Sequence, residues 1–175
     1  MTILDLKNNK CDKSEIFKLL KQLTDAPDIS SDHYNSIVSS LNDNHKIFTF
    51  VEDNITIGLI TVFIEQKLIH GGKCVAHIED LVIDREHRKK GISSALINHV
   101  VKYVETKNCY KIILDCSKEL VDVYRKSKFE QKGVQMAYYF PDKPIVSVPG
   151  MGWGHQNCAC KTCVGDAYYI MWCLC

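Results

Sequence analysis

Asp84-Arg85-Glu86-His87-Arg88-Lys89-Lys90-Gly91-Ile92-Ser93 is the stretch on which the reading of this chain turns. It is a highly charged turn between two segments of different periodicity. Before it, residues 75–83 (Val-Ala-His-Ile-Glu-Asp-Leu-Val-Ile) read as a strand rich in β-branched side chains. After it, Ile92, Ala95, Leu96, Val100, Tyr103 and Val104 form an apolar stripe at helical spacing, so Gly91 opens a helix that runs to about Thr106. A strand, a basic turn with glycine and a helix start make a candidate phosphate cradle. First-turn N–H groups lack intrahelical acceptors, the helix dipole favours an anion, and glycine lets a ligand approach the backbone. Arg88, Lys89 and Lys90 add positive charge. The order is neither Gly-x-x-x-x-Gly-Lys-Ser/Thr nor Gly-x-Gly-x-x-Gly. On these residues alone, a solvated basic turn before a surface helix stays open as the alternative.

Upstream, a first strand is expected at residues 3–6. Asp12 and Glu15 have capping-box spacing ahead of Ile16, Phe17, Leu19, Leu20 and Leu23, which recur at helical intervals until Pro27. Ser30 or Ser31 can cap a second helix carrying Tyr34, Ile37, Val38 and Leu41. Residues 47–51 and 55–64 read as strands joined by the polar turn Glu52-Asp53-Asn54, and Gly71-Gly72 is a turn before the strand at 75–83. That strand carries Glu79 and Asp80 in its middle. Adjacent carboxylates are costly if buried unpaired, and alternation sends them to opposite sides of the sheet, so at least one has a polar role. Downstream, residues 110–114 read as a strand, 119–126 as a short helix containing Tyr124, and 134–140 as a last strand. The order implies an α/β architecture, a mixed central sheet flanked by helices.

Pro141 begins a different region. Pro141, Pro144, Pro149, Gly150, Gly152 and Gly154 punctuate a stretch without periodicity, and the boundary is placed near Phe140: one domain over residues 1–140 and a Cys-rich extension over 141–175. The chain of 175 residues holds nine cysteines, five of them at 158, 160, 163, 173 and 175. An odd count without a secretory leader argues against a disulfide framework. His155, Cys158, Cys160 and Cys163 could supply four ligands to a structural zinc ion, although the spacing is irregular, and no metal is expected in catalysis. A disordered tail or an interaction segment is the competing reading. The net charge of +1 gives no case for nucleic acid, and no run approaches a membrane span, so a cytoplasmic location is the default.

Several of these segments resemble one family. Arg88 and Gly91 match the Arg/Gln-x-x-Gly-x-Gly/Ala pyrophosphate motif of the GNAT acetyltransferase superfamily, with Ser93 at the last small position. Phe63-Ile64-Glu65-Gln66-Lys67-Leu68-Ile69-His70, His77-Ile78-Glu79-Asp80-Leu81-Val82-Ile83 and Cys109-Tyr110-Lys111-Ile112-Ile113-Leu114-Asp115-Cys116, followed by Val121 and Tyr124, resemble eukaryotic-type glucosamine 6-phosphate N-acetyltransferases. Gln22-Leu23-Thr24 fits as well, and the resemblance spans roughly residues 19–140.

The resemblance implies a GNAT-type acyl-CoA N-acyltransferase fold and a homodimer with sugar-phosphate sites at the subunit junction. It also implies direct transfer of acetyl from acetyl-CoA to the 2-amino group of D-glucosamine 6-phosphate, feeding UDP-N-acetylglucosamine synthesis. Arg88, Lys89, Lys90, Gly91, Ile92, Ser93 and Ser94 are then expected around the coenzyme pyrophosphate, and backbone groups of Leu81, Val82 and Ile83 along the pantetheine arm. Glu79 is expected to lead proton removal, Asp80 to orient the amino sugar, and Tyr124 to protonate the departing thiolate. Lys67 and Asp115 are expected at the sugar phosphate, with Thr24 and His70 as further candidates. Cys116 lacks a Cys/His/acid order and reads as a structural thiol. Three departures stand out: Leu120 where the family often has Asn, Lys128 where it often has Gly before an aromatic, and Tyr138-Tyr139 where relatives often place a basic side chain. The rival readings are a GNAT enzyme for another amine, such as a polyamine, aminoglycoside or protein amine, and a noncatalytic acyl-CoA-binding or interaction module.

Overall fold

A computed structural model describes residues 1–9 and 11–139. The expected boundary at Phe140, the extension at 141–175 and the zinc candidates His155, Cys158, Cys160 and Cys163 lie outside the described residues. Met1–Gln131 belong to one compact unit, and residues 132–139 fall to a second.

The first unit runs β1 (Thr2–Asp5), α1 (Lys13–Leu20), α2 (Ser31–Ser40), β2 (His45–Glu52), β3 (Ile55–Gln66), β4 (Cys74–Ile83), α3 (Ile92–Glu105), β5 (Cys109–Ile113) and α4 (Val121–Arg125). Short 3-10 turns at His70–Gly72, Arg85–His87 and Lys118–Leu120 connect them. The five strands lie in sequence order in one sheet. Pairs β1–β2, β2–β3 and β3–β4 are antiparallel, and β4–β5 is parallel. The parallel step requires a crossover, which α3 supplies.

The core takes most of the apolar residues expected from α1, β3, β4 and α3, whereas α2 buries none of its own and leaves Ile37 exposed. Residues 56–62 of β3 are continuously buried, the pattern of a strand covered on both faces, and α1 and α3 both pack on β3 and β4. Ile16, Leu19 and Leu23 are buried from the α1 side, and Ile92, Leu96, Ile97, Val100 and Val104 from α3. Capping places the helices much as expected. Asp12 accepts from the Ser14 N–H, and Ser30 Oγ accepts from the His33 N–H. Glu15 does not complete a capping box. Its carboxylate accepts the Thr56 N–H at 2.9 Å instead, beside the register shift between Phe50 and Val51, where the β2–β3 ladder leaves that donor available.

The strand expected at 134–140 is not formed at residues 134–139. Val134, Met136 and Tyr138 are 92%, 92% and 80% exposed, so their alternation buries no face, and a single extended segment has no ladder of its own to hold it.

Candidate active site

The site is built by an interruption in β4. Thr61 pairs with Glu79, while Leu59 pairs with Val82, so β4 advances three residues where β3 advances two. The extra residue is a β-bulge, and Asp80 takes φ 49°, a left-handed conformation that costs a side-chain-bearing residue energy and is retained here in the middle of a strand. Strict alternation, which would send Glu79 and Asp80 to opposite faces, is broken at this point. The second interruption is a divergence. Parallel pairing with β5 covers only Cys74 to His77, with His77 opposite Ile113, whereas β4 continues to Ile83. From Ile78 onward no strand among the described residues lies on that side, and the β4 edge has backbone groups to offer a ligand. Leu81, Val82 and Ile83 lie on this stretch with side chains buried in the core, and the Ile83 carbonyl is already taken by Arg88 Nε at 3.2 Å.

The two carboxylates of the bulge are half-buried and sit in different surroundings. Burial pushes Glu79 above the ordinary glutamate range, and the negative charges of Asp80 and then Asp115 push the same way, against the pull of His77. Burial also raises Asp80, whose carboxylate is partly compensated by a hydrogen bond from the Thr61 hydroxyl and by the charge of His45. A carboxylate with elevated proton affinity at a cleft is suited to take a proton from an amine. Asp115, exposed just beyond β5, thus joins Glu79 and Asp80 in one acidic group.

At the far end of β4 the charged turn forms the expected strand-to-helix junction. Lys89 and Gly91 both take positive φ, 63° and 81°, and a Cβ at Gly91 would meet nothing within 4 Å. The glycine therefore serves backbone conformation rather than packing. No side chain caps α3, and its first helical bond runs from Ala95 N–H to the Gly91 carbonyl, which leaves the amides of Ile92, Ser93 and Ser94 without intrahelical acceptors. Arg88 turns back to hold the end of β4 rather than projecting freely. Lys89 and Lys90 are exposed.

Tyr124 lies in α4 and is 3% exposed, with its ring edge-on to Phe129 at 6.1 Å and its hydroxyl oxygen shielded from bulk solvent. The turn after α4 places Lys128 at φ 67°, a left-handed conformation that favours glycine. Leu120 is a core residue at the α4 N-cap, 8% exposed. Burial and Asp115 both raise the Cys116 thiol, which disfavours a thiolate there.

Lys67 and His70 sit at the opposite end of β4 from the cradle. The Lys67 N–H bonds the Lys73 carbonyl, just before β4 begins at Cys74. The Lys67 side chain reaches back along the sheet from there toward Glu79, through Glu65 and His77. Lys67 Nζ pairs with Glu65 at 2.5 Å, and Glu65 also meets His77 Nε2 at 3.1 Å, which together hold the Glu65 carboxyl below its usual range. His70 takes φ 54° and stacks on Tyr110, centroids 4.2 Å apart. Thr24 is exposed after α1, where its neighbour Gln22 reaches the start of the charged turn. One chain thus brings together Glu79, Asp80 and Asp115 and, separately, the cradle residues. Lys67 is linked toward the acidic group through Glu65 and His77, and His70 lies at the turn before β4, on Tyr110.

Three polar residues escaped the sequence reading as participants: Thr61, His77 and Gln22. Thr61 sits in the apolar stretch 57–64 of β3, a signal in itself, but its link to Asp80 depends on the bulge. Among the described residues no cluster of three or more His, Cys, Asp or Glu could hold a metal ion, and no helix is long and apolar enough to cross a membrane.

Residues 14–129 match the Acetyltransferase (GNAT) family. The chain is 34% identical over 129 residues to the probable glucosamine 6-phosphate N-acetyltransferase 2 of Oryza sativa subsp. japonica, which is 70% of this chain and 78% of the relative. It is 35% identical over 130 residues to glucosamine 6-phosphate N-acetyltransferase 1 of Dictyostelium discoideum, 71% of this chain and 82% of the relative. The crystal structure of glucosamine-6-phosphate N-acetyltransferase from Arabidopsis thaliana is similar with a TM-score of 0.72 at 27% identity, covering 81% of this chain and 100% of that one.

Proposed function

Because the chain belongs to the GNAT acetyltransferase family, among its glucosamine 6-phosphate N-acetyltransferases, we propose that it transfers acetyl from acetyl-CoA to the 2-amino group of D-glucosamine 6-phosphate. The observation that carries the mechanism is the bulged, divergent β4, which sets Glu79 and Asp80, both with raised proton affinity, beside an unpaired strand edge that runs on to the helix N-terminus.

The coenzyme pyrophosphate binds at the first-turn amides of Ile92, Ser93 and Ser94, approached over Gly91 and favoured by the charges of Lys89 and Lys90. Arg88 shapes this loop through its bond to Ile83. The pantetheine amides pair with the open edge of β4 along Leu81–Val82. Glu79 takes a proton from the sugar ammonium, directly or through water, and Asp80, held by Thr61, orients the amine. The freed nitrogen attacks the thioester carbonyl, a C–N bond forms and the C–S bond breaks. The Tyr124 hydroxyl donates a proton to the leaving sulfur. No acyl-enzyme is involved, consistent with a Cys116 thiol that burial keeps protonated.

Lys67 and His70 serve the sugar phosphate at the subunit junction of a homodimer, while Asp115 contacts a sugar hydroxyl or the amine. Residues 1–140 form the catalytic domain, residues 141–175 an extension, and the enzyme acts in the cytosol.

Initial-rate release of CoA from acetyl-CoA tests the reading, with glucosamine 6-phosphate run beside glucosamine and spermidine. Release that requires the phosphorylated amino sugar is expected. Equal rates with glucosamine, or release only with spermidine, would reject the acceptor. Failure to bind CoA at all would reject the enzyme.

A further inference from the structure

The charged turn that forms the cradle is organised around one side chain, and that side chain is held from outside the turn. Asp84 closes β4: its N–H donates to the Ile57 carbonyl at 2.9 Å, and its own carbonyl accepts the His87 N–H at 2.9 Å. Asp84 Oδ1 accepts the Glu86 N–H at 3.0 Å and meets His87 Nδ1 at 3.3 Å, which shapes the 3-10 turn Arg85–His87. The remaining oxygen, Oδ2, accepts from Gln22 Nε2 at 3.0 Å, 62 residues away in sequence. The other end of the same amide, Gln22 Oε1, accepts the Arg85 N–H at 3.0 Å. Both functional ends of Gln22 are thus committed to the first two residues of the turn, one to a side chain and one to the backbone.

This pairing is polarised. Asp84 has only acceptors to offer, and the Arg85 N–H only a donor, so the partner must present a donor and an acceptor about one amide width apart. Of the ordinary side chains, Gln and Asn do so, and Gln22 has the reach. Asp84 is mostly buried. Burial works against its charge, yet the bonds from Gln22, the Glu86 N–H and His87 hold its carboxyl below the usual aspartate range. The carboxylate is therefore a fixed anionic hub, and Gln22 supplies a bond that fixes it. Gln22 itself leaves the α1 end, two residues before Thr24, while Leu23 anchors in the core at 6% exposure.

We propose that Gln22 is a positioning residue for the coenzyme loop: it locks Asp84 and Arg85 so that the turn delivers Gly91 and the first-turn amides of α3 to the pyrophosphate. It touches no substrate. The inference rests on reading that turn as the pyrophosphate cradle. Its distinctive consequence is selectivity along the donor molecule. Loosening the turn weakens recognition of the pyrophosphate and leaves the pantetheine contacts on β4 intact.

The test compares CoA, which carries the pyrophosphate, with pantetheine, which lacks it. Equilibrium binding to the full chain is followed by calorimetry without acceptor, alongside kcat and KM with acetyl-CoA and S-acetylpantetheine. Gln22→Ala removes two hydrogen bonds, one to a carboxylate, and is expected to raise the CoA Kd about tenfold while pantetheine binding changes by less than about twofold. The KM for acetyl-CoA should rise with kcat nearly preserved. Gln22→Glu keeps the acceptor for Arg85 but sets a carboxylate against Asp84, and should weaken CoA binding at least as much. Adding Asp84→Asn to Gln22→Glu reverses the polarity of the bond. The amide introduced by Asp84→Asn keeps an oxygen for the Glu86 N–H and donates through its nitrogen to the carboxylate introduced by Gln22→Glu, so CoA affinity should recover toward wild type. Such a rescue cannot come from a residue that merely fills space. Parallel losses for CoA and pantetheine, unchanged CoA affinity in a folded Gln22→Ala, or no recovery in the double variant would each overturn the proposal. If Gln22→Ala does not fold, the other two variants decide. Wild-type protein that binds no CoA would instead strike at the acetyltransferase reading itself.

Discussion

Gly58 is the glycine whose replacement tests how α3 is seated on the sheet. It lies in β3, opposite Ile83. A Cβ there would stand 3.0 Å from Ile83 Cδ1, 3.3 Å from Leu96 Cδ1 and 3.4 Å from Ile92 Cγ2. Carbon atoms pack at roughly 3.5–4.0 Å, so the first contact is about 0.5–1.0 Å too close. All three neighbours are ends of flexible side chains, and a small shift relieves one methyl at a cost of about 1 kcal/mol, the low end for overpacking. The backbone at Gly58 is not left-handed, so alanine is conformationally admissible and restricts the unfolded chain by about 0.4–1 kcal/mol in its favour. Gly58→Ala should therefore be close to neutral. Gly58→Val adds two further methyl groups in the same space and should destabilise by about 2–3 kcal/mol. The functional consequence follows from Ile92, whose side chain is displaced and whose N–H belongs to the cradle. Valine is expected to weaken CoA binding about tenfold, or ~1.4 kcal/mol. Denaturant midpoints at unchanged slope measure the first effect, and calorimetric CoA titration the second. A Gly58→Val protein with wild-type stability and CoA affinity would refute the claim that this close approach sets the start of α3.

Glu79 should make activity and stability diverge. Below its raised pKa the carboxyl is protonated and cannot accept the amine proton, so kcat/KM should fall with decreasing pH from above the ordinary glutamate range. Asp115→Asn, which removes a charge that raises Glu79, should move that limb to lower pH. Glu79→Gln should lower kcat about 10²–10³-fold with the fold intact. The same variant should melt higher at neutral pH. A carboxyl whose folded pKa is raised loses stability as pH rises from the unfolded to the folded pKa, and the uncharged amide escapes that penalty. Tyr124→Phe should lower kcat about 10–100-fold while CoA affinity changes little, read from single-turnover rates beside binding isotherms. Lys128→Gly should stabilise by about 0.5–1 kcal/mol, because relief of a left-handed side-chain residue outweighs the entropy that glycine adds to the unfolded chain.

The elements that could be read from sequence are those whose cause is local. The α3 stripe, the β2–β3 hairpin and the caps at Asp12 and Ser30 depend on periodicity and on side chains a few residues apart, and their bounds shift by only a residue or two in the structure. Glu15 shows where local logic ends. Its spacing to Asp12 predicts a capping box, but the Thr56 N–H, 41 residues away, is the donor it takes. The last strand fails for a related reason. Val134, Met136 and Tyr138 have the alternation of a strand, and alternation states which side would be buried without saying against what. Lys128 is the reverse case: a family pattern in the sequence marked a turn that wants positive φ, and the backbone there has it.

The site was legible as residue types and illegible as geometry. Glu79 and Asp80 announce themselves as carboxylates inside a β-branched run, yet alternation sends them apart. The bulge breaks that alternation and brings Asp80 to Thr61, and a bulge has no reliable signature in a stretch reading His-Ile-Glu-Asp-Leu. One extra residue does two things at once. It breaks the alternation at the acids and gives Asp80 the Thr61 hydroxyl. The open strand edge has a separate origin, since pairing with β5 already ends at His77, before the bulge and on the other edge of β4. Deleting one residue at the bulge should therefore restore strict alternation at Glu79 and Asp80 and lower turnover, while CoA binding along the β4 edge is kept. The strain at Asp80 is retained because a regular β4 would send the two acids to opposite faces of the sheet.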